Sequence, residues 1–302
     1  MKSILRNLAI IAALFSTFAA NADDKGRLYI VGESSPKGWD LDYSRALLVS
    51  PEKPSVYTGT LYLKGGDSNT FKFLQTHEYG NTEYGLPDNV TSQIVNGACT
   101  LASGTSDNGY KQLSVAQNGN YYITVDTENL TADITLSDYQ DTQIEWCSLF
   151  LVGGNTPGNW TVEDATPLYQ SKEEPYKFST KVNLKADGSF KIAKTIRGGG
   201  SFDSKFYFFK DAADAGKISE DSTDDRQWSV PENGEYNVSV NTLTNAIAIQ
   251  KADVSTVVEE LIGNEVEDGT PVYYNLQGAR VDNPSKGIYI EVIGNKARKV
   301  VL

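Results

Sequence analysis

Two tryptophans end the same phrase, once in "RLYIVGESSPKGWDL" (27–41) and again in "SLFLVGGNTPGNWTV" (148–162). An indole after such a turn offers a flat apolar face. Flat aromatic faces stack on the apolar faces of pyranose rings, with polar groups at the rim for the hydroxyls. Trp39 and Trp160 are therefore the candidate platforms, although the same position equally suits a cap on a β-core. In the first copy "THEYGNTEYG" (76–85) adds Tyr79 and Tyr84, with His77, Glu78 and Asn81 beside them as hydrogen-bonding groups. In the second copy "TIRGGGSFDSKFYFFK" (195–210) adds Arg197, Phe202, Phe206 and Tyr207, but its "FYFF" reads as a buried strand. Lys72 and Lys191 point off the apolar faces of their strands, either toward a ligand or simply into solvent. The candidate ligand-binding set is Trp39, Lys72, Tyr79, Asn81, Tyr84, Trp160, Lys191 and Arg197. The first copy is the better furnished, and the second reads as degenerate.

Reactive chemistry has little to stand on. The chain holds a single histidine, His77, and no Gly-x-Ser-x-Gly turn, so a Ser-His-Asp triad has no frame. The 39 acidic residues supply carboxylate pairs by chance, but no motif sets two of them across a glycosidic bond. "RGGGS" (197–201) lacks the Lys-Ser/Thr of a phosphate-binding loop. One histidine and two cysteines leave too few soft ligands for zinc. No catalytic residue, metal or cofactor is expected. A net charge of −12 opposes a nucleic-acid backbone.

The elements that must position these residues are strands. After the tryptophan phrase, "GTLYLKGGDSNTFKFLQ" (59–75) returns as "STKVNLKADGSFKIAK" (179–194), and "YKQLSVAQNGNYYITV" (110–125) as "DRQWSVPENGEYNVSV" (225–240). A repeat of this length is a duplicated domain, since solenoid units are shorter. Within each copy apolar residues alternate with period two. Asn118-Gly119 and Asn233-Gly234 suit tight hairpin turns, and strands 121–126 with 132–136 and 236–241 with 246–249 read as hairpins. Several short strands at this spacing argue for one β-sandwich per copy, each with an irregular middle (76–108 and 195–224). The fold class expected is all-β: two tandem immunoglobulin-like β-sandwiches, 25–138 and 146–251, then a linker and small C-terminal β module, 252–302. Cys99 and Cys147 either pair or remain buried thiols. Residues 1–22, with Lys2, Arg6, an apolar run at 8–18 and Ala20-x-Ala22, read as a secretory signal peptide.

The opening "LYIVG", the Pro36-to-Trp39 turn, "VYTGTLYL" and "FKF" resemble the carbohydrate-binding domains of the SusE/SusF group of surface starch-binding proteins. The second copy matches through "LFLVGGNTPGNW", "PYKFSTKVNL" and "SFKIAK". The resemblance implies a non-catalytic protein of the outer-membrane surface or extracellular space, with a polysaccharide or oligosaccharide, α-glucan first, as partner. The last 30 or so residues, "VYYNLQGARVDNPSKGIYIEVIGNKARKVVL", are similar to the sorting domain of type IX secretion cargo. That similarity implies an export machinery engaged through the tail. The chain departs from SusE/SusF relatives in lacking a cysteine after the signal, where it reads "ANADDKG".

Overall fold

A computed structural model describes residues 25–196, 205–221, 223–252, 271–275, 280–293 and 296–301. The expected signal peptide, Arg197 and Phe202 lie outside the described residues. Among the described residues the regular structure is strand, with two short 3-10 turns, Leu41–Tyr43 and Val162–Asp164. Residues up to Gln250 form one compact unit and those from Lys251 a second.

The repeat is carried into strand order. In the first sheet, Thr70–Leu74, Arg27–Gly32, Arg45–Ser50, Lys53–Leu63, Gly119–Asp126 and Thr131–Leu136 are successive neighbours. In the second, Phe190–Ala193, Ser148–Gly153, Thr166–Gln170, Lys177–Leu184, Gly234–Asn241 and Ala246–Lys251 follow the same order. Each sheet closes over its own core. Leu28 and Ile30 meet Phe71, Phe73, Ile123 and Ile134 in the first, and Leu149 and Leu151 meet Phe190, Ile192, Val238 and Ile247 in the second. Both expected hairpins form, pairing Tyr121 with Leu136 and Asp126 with Thr131 in the first copy.

Their turns are not the Asn-Gly pairs. Those stand at the strand starts, Gly119 and Gly234 being the first strand residues, and the Asn118 and Asn233 side chains accept from the Gly65 and Ala186 N–H groups at 2.9 and 2.7 Å. The hairpin turns are instead built on Asp126 and Asn241. The Asp126 Oδ1 accepts from the N–H groups of Glu128 and Asn129, and the Asn241 Oδ1 from those of Leu243 and Thr244. The irregular middle of the first copy holds short strands at Glu83–Gly85, Ile94–Val95, Gly97–Thr100 and Ala102–Gly104. Of the "FYFF" run, Tyr207, Phe208 and Phe209 form the buried strand its composition suggests, within Tyr207–Lys210, and Phe206 is a buried turn residue before it. Cys99 and Cys147 are both free thiols.

A third apolar layer joins the two sandwiches. Tyr29, Val31, Ala46, Leu48 and Leu74 pack with Phe150, Val152, Ala165, Ala193 and Ile196. Apart from Ala165 and Ile196, which lie in connections, these are the outward faces of the strands whose inward faces form the two cores. Polar contacts rim the layer. The Arg27 guanidinium donates to the Glu163 and Ala165 carbonyls at 2.9 and 3.0 Å, Arg45 Nε to the Glu145 carbonyl at 2.6 Å, and Ser148 Oγ to the Ala46 carbonyl at 2.7 Å.

The second unit is a sheet ordered Arg280–Val281, Val272–Tyr274, Ile288–Ile293, Lys296–Val301. Glu291 ties it together, accepting from Tyr273 Oη at 2.9 Å and from Arg298 Nε at 2.5 Å.

Phe150 is buried in the shared layer. Phe150→Ala is expected to cost about 3–5 kcal/mol, the range for truncating a buried phenylalanine. Differential scanning calorimetry should show one transition for the sandwich pair in the wild type, and a lowered, split transition in the variant.

Candidate functional site

Each tryptophan is delivered by one local device. The strand Arg27–Gly32 ends at a glycine with φ of +145°, where a Cβ would lie 2.3 Å from the Phe71 Cα. At Gly153 the same added atom would lie 2.4 Å from the Phe190 Cα. Only glycine fits so close an approach. The chain then doubles back, with the Gly32 N–H donating to the Gly38 carbonyl at 3.0 Å and the Gly153 N–H to the Asn159 carbonyl at 2.9 Å. The Ser35 and Thr156 hydroxyls brace the turn from inside, each 2.9 Å from the glycine carbonyl. The residue before each indole is left-handed, Gly38 at φ +70° and Asn159 at φ +53°, and asparagine is among the few residues other than glycine that tolerate this. Both indoles emerge 37% exposed.

Behind each indole lies a lysine. Lys72 pairs with Val31 and Lys191 with Val152, the same register in both copies. Neither is a solvated surface lysine: Lys72 is 3% exposed and Lys191 0%. The Lys72 Nζ lies 6.0, 5.3 and 5.9 Å from the ring centres of Trp39, Tyr79 and Tyr110. The Lys191 Nζ lies 5.6, 5.5 and 5.2 Å from those of Trp160, Tyr207 and Phe209. Aromatic faces attract an ammonium, and carboxylates balance its charge. Lys72 donates to Glu83 Oε2 at 2.9 Å and Asp107 Oδ1 at 2.8 Å, while Lys191 is ion-paired with Asp225.

Glu83 is the buried hinge of the first cluster. It also accepts from the Tyr110 hydroxyl and from the N–H groups of Gly80 and Asp107. Burial alone would raise its pKa, but the bonds from Lys72, Tyr110 and the two backbone groups outweigh it and hold the carboxyl below its ordinary value. Asp107 is held low chiefly by the Lys72 bond, against burial. Tyr110 is pushed well above its usual value by burial and by the two carboxylates it touches.

The other expected residues separate. Tyr79, 44% exposed, stands beside Trp39 and donates its hydroxyl to the Trp39 carbonyl. Tyr84 is not a platform. Its pairing with Phe73 turns it onto the core face, where it is buried with its hydroxyl donating to Gln75 Oε1 at 2.7 Å. Asn81 is also away from the indole. Its amide donates to Thr76 Oγ1 and Glu78 Oε2 at 3.0 and 3.1 Å, and it lines a cleft of about 870 Å³ between the sandwiches. Trp160 has Tyr207 and Phe209 around its lysine, both buried.

Glu83, Asp107, Tyr110, Asp225 and Phe209 are the residues that sequence reasoning missed. One signal was present: in the repeat alignment Tyr110 and Asp225 share a column, and both stand against the lysine.

No family model matches the chain, and no curated protein matches it. Among solved structures, the crystal structure of SusF from Bacteroides thetaiotaomicron is similar over 76% of this chain and 48% of that one, at 18% identity and a TM-score of 0.26. This chain thus spans about half the length of that structure. A likeness that loose says nothing of what this chain binds.

Two outcomes follow from the lysine cluster. Because the Glu83 and Asp107 pKa values are depressed, their contribution to stability is complete above the unfolded carboxylate range of about 4 and is lost as pH falls through the folded values. Thermal melts should be flat from about pH 5 to 8 and fall below about pH 4. Glu83→Gln removes one partner of a buried ammonium. With Asp107 still in place, the loss should sit near the low end of the about 3–5 kcal/mol typical of breaking a buried pair, measured by urea titration.

Proposed function

We propose that the chain is a non-catalytic glycan-binding protein of the cell surface or extracellular space. Sugar rings stack on Trp39 with Tyr79 and on Trp160, and α-glucan is the ligand implied by the sequence resemblance. The observation that carries this reading is the pair of half-exposed indoles, each set by the same glycine-locked turn and backed by the same buried lysine. A platform held this way is pre-organised, so little ordering cost opposes binding. The lysines support the rings from behind. Hydroxyl acceptors at the rim are the carboxylates of Asp107 and Asp225, whose side chains are exposed beside the platforms.

The electrostatics favour binding over hydrolysis. A glycosidase needs one carboxyl kept protonated near neutral pH as the acid. Glu83 and Asp107 are both shifted the opposite way and tied to Lys72. Two weak sites on one polymer reinforce each other without new contacts. The leader and the tail are the proposed route outward. The burial of Lys72, Lys191 and Tyr84 favours a rival reading, a structural or adhesive surface protein whose sandwiches have lost sugar binding.

Affinity electrophoresis in gels containing amylopectin, pullulan or an unrelated β-glucan decides between them. Retardation is expected in at least one α-glucan gel. Trp39→Ala and Trp160→Ala should each weaken it and together abolish it, with circular dichroism melting curves unchanged. Unretarded wild-type protein in every gel would leave the structural reading.

A further inference from the structure

We infer that the cleft between the two sandwiches is a further ligand site, separate from the tryptophan platforms, and that it takes a short neutral oligosaccharide. Its volume of about 870 Å³ falls within the roughly 300–1,000 Å³ of small-molecule sites. Neither sandwich makes it alone. One wall is the loop carrying His77 and Asn81, and the other is formed by Glu163 and Ile196. Arg27 also lines it and crosses the joint, its guanidinium 4.9 Å from the Phe150 ring centre and donating to the Glu163 and Ala165 carbonyls.

The loop wall is pinned rather than loose. His77 Nε2 donates to the Leu41 carbonyl at 2.7 Å, so in the neutral ring Nδ1 is the acceptor. The imidazole also lies 5.0 Å from the Tyr29 ring. The Asn81 amide bonds and the Gly80 N–H donation to Glu83 Oε1 at 3.1 Å hold the rest. The same loop therefore serves two surfaces, turning Tyr79 to the indole and His77 with Asn81 to the cleft.

Charge and polarity select the ligand. Among the described residues, both cations on the lining are committed: Lys25 to Asp164, Arg27 to two backbone carbonyls. The acidic residues on the lining, among the described residues, are Glu78 and Glu163, which repel an anion and accept hydroxyl hydrogen bonds. Most drug-like or peptide pockets are lined chiefly by apolar groups. Here polar and apolar surface are nearly balanced, with threonines 82 and 105, Gln75 and Asn81 on the lining and the His77 ring, lying over the buried Tyr29, as the half-exposed aromatic face. A molecule whose surface is mainly hydroxyl, with short apolar ring faces and no negative charge, fits that lining.

His77 is the chain's single histidine, so its imidazole C–H signals in a proton–carbon NMR spectrum report on the cleft without ambiguity. The protein carrying Trp39→Ala and Trp160→Ala is titrated with maltotriose, cellotriose, tri-N-acetylchitotriose and trigalacturonic acid. A saturable His77 shift with at least one neutral trisaccharide is expected, with the midpoint unchanged from wild type. Thr105→Trp, or Thr82→Trp should the first misfold, fills the cleft from an exposed position and should weaken that midpoint at least about tenfold. Loss of gel retardation in the double-tryptophan variant while the His77 shift persists would establish two separate sites. A retarded wild type with no His77 shift would overturn the cleft and leave the platforms standing. So would a shift that needs the tryptophans, or one seen with trigalacturonic acid alone.

Discussion

The strands Arg27–Gly32 and Ser148–Gly153 are buried on both faces, and much else follows from that constraint. A strand presents alternate side chains to opposite faces. Leu28 and Ile30 therefore enter one core while Tyr29 and Val31 meet the second sandwich, and Leu149 and Leu151 divide from Phe150 and Val152 in the same way. Apolar area removed from water on the outer faces binds the sandwiches into one body. It also dictates the rim. Arginines 27 and 45 can sit there because backbone carbonyls across the joint receive their N–H groups, and Arg45 is lowered from its ordinary pKa by that burial.

Each copy also buries a lysine, and does so with its own residues. Lys72 and Lys191 lie on the outward face of their strands, next to the layer, and an unpaired ammonium there would be costly. The two copies meet the need differently. In the first, Tyr110 fills the shared alignment column and carboxylates come from Glu83 and Asp107, on segments inserted within the irregular middle. In the second, that column is Asp225, which pairs with the lysine directly while Tyr207 and Phe209 supply rings. Charge balance was kept while its source moved. The lysine cluster of the second copy is thus differently furnished rather than emptied.

The all-β class, the duplication and the hairpins were legible because they rest on local pattern: period two, repeated phrases, short strands. The two lysines were misread for one shared reason. An off-core position was read as facing a ligand or solvent, whereas at Lys72 and Lys191 rings and carboxylates of the same sandwich close over the ammonium. That the sandwiches pack on each other was signalled by "LYIV" and "LFLV", unbroken apolar runs of the kind carried by strands buried on both sides. Tyr84 was misplaced for another reason. Nothing in "EYGNTEYG" announces that its second half is a strand paired to Thr70–Leu74, and that pairing decides which way the ring turns. The Asn-Gly pairs show a local motif put to tertiary use, their amides bridging to Gly65 and Ala186 rather than closing a hairpin.

Cys147 is sealed at the seam of the two sandwiches, its thiol donating to the Ala46 carbonyl at 3.2 Å. Burial pushes its pKa up to about 12. The thiolate is the species that alkylating and oxidising reagents attack, so at neutral pH this sulfur is silent while the chain stays closed. Maleimide uptake at Cys147 then counts the molecules that have come open, a clock for unfolding built into the protein itself.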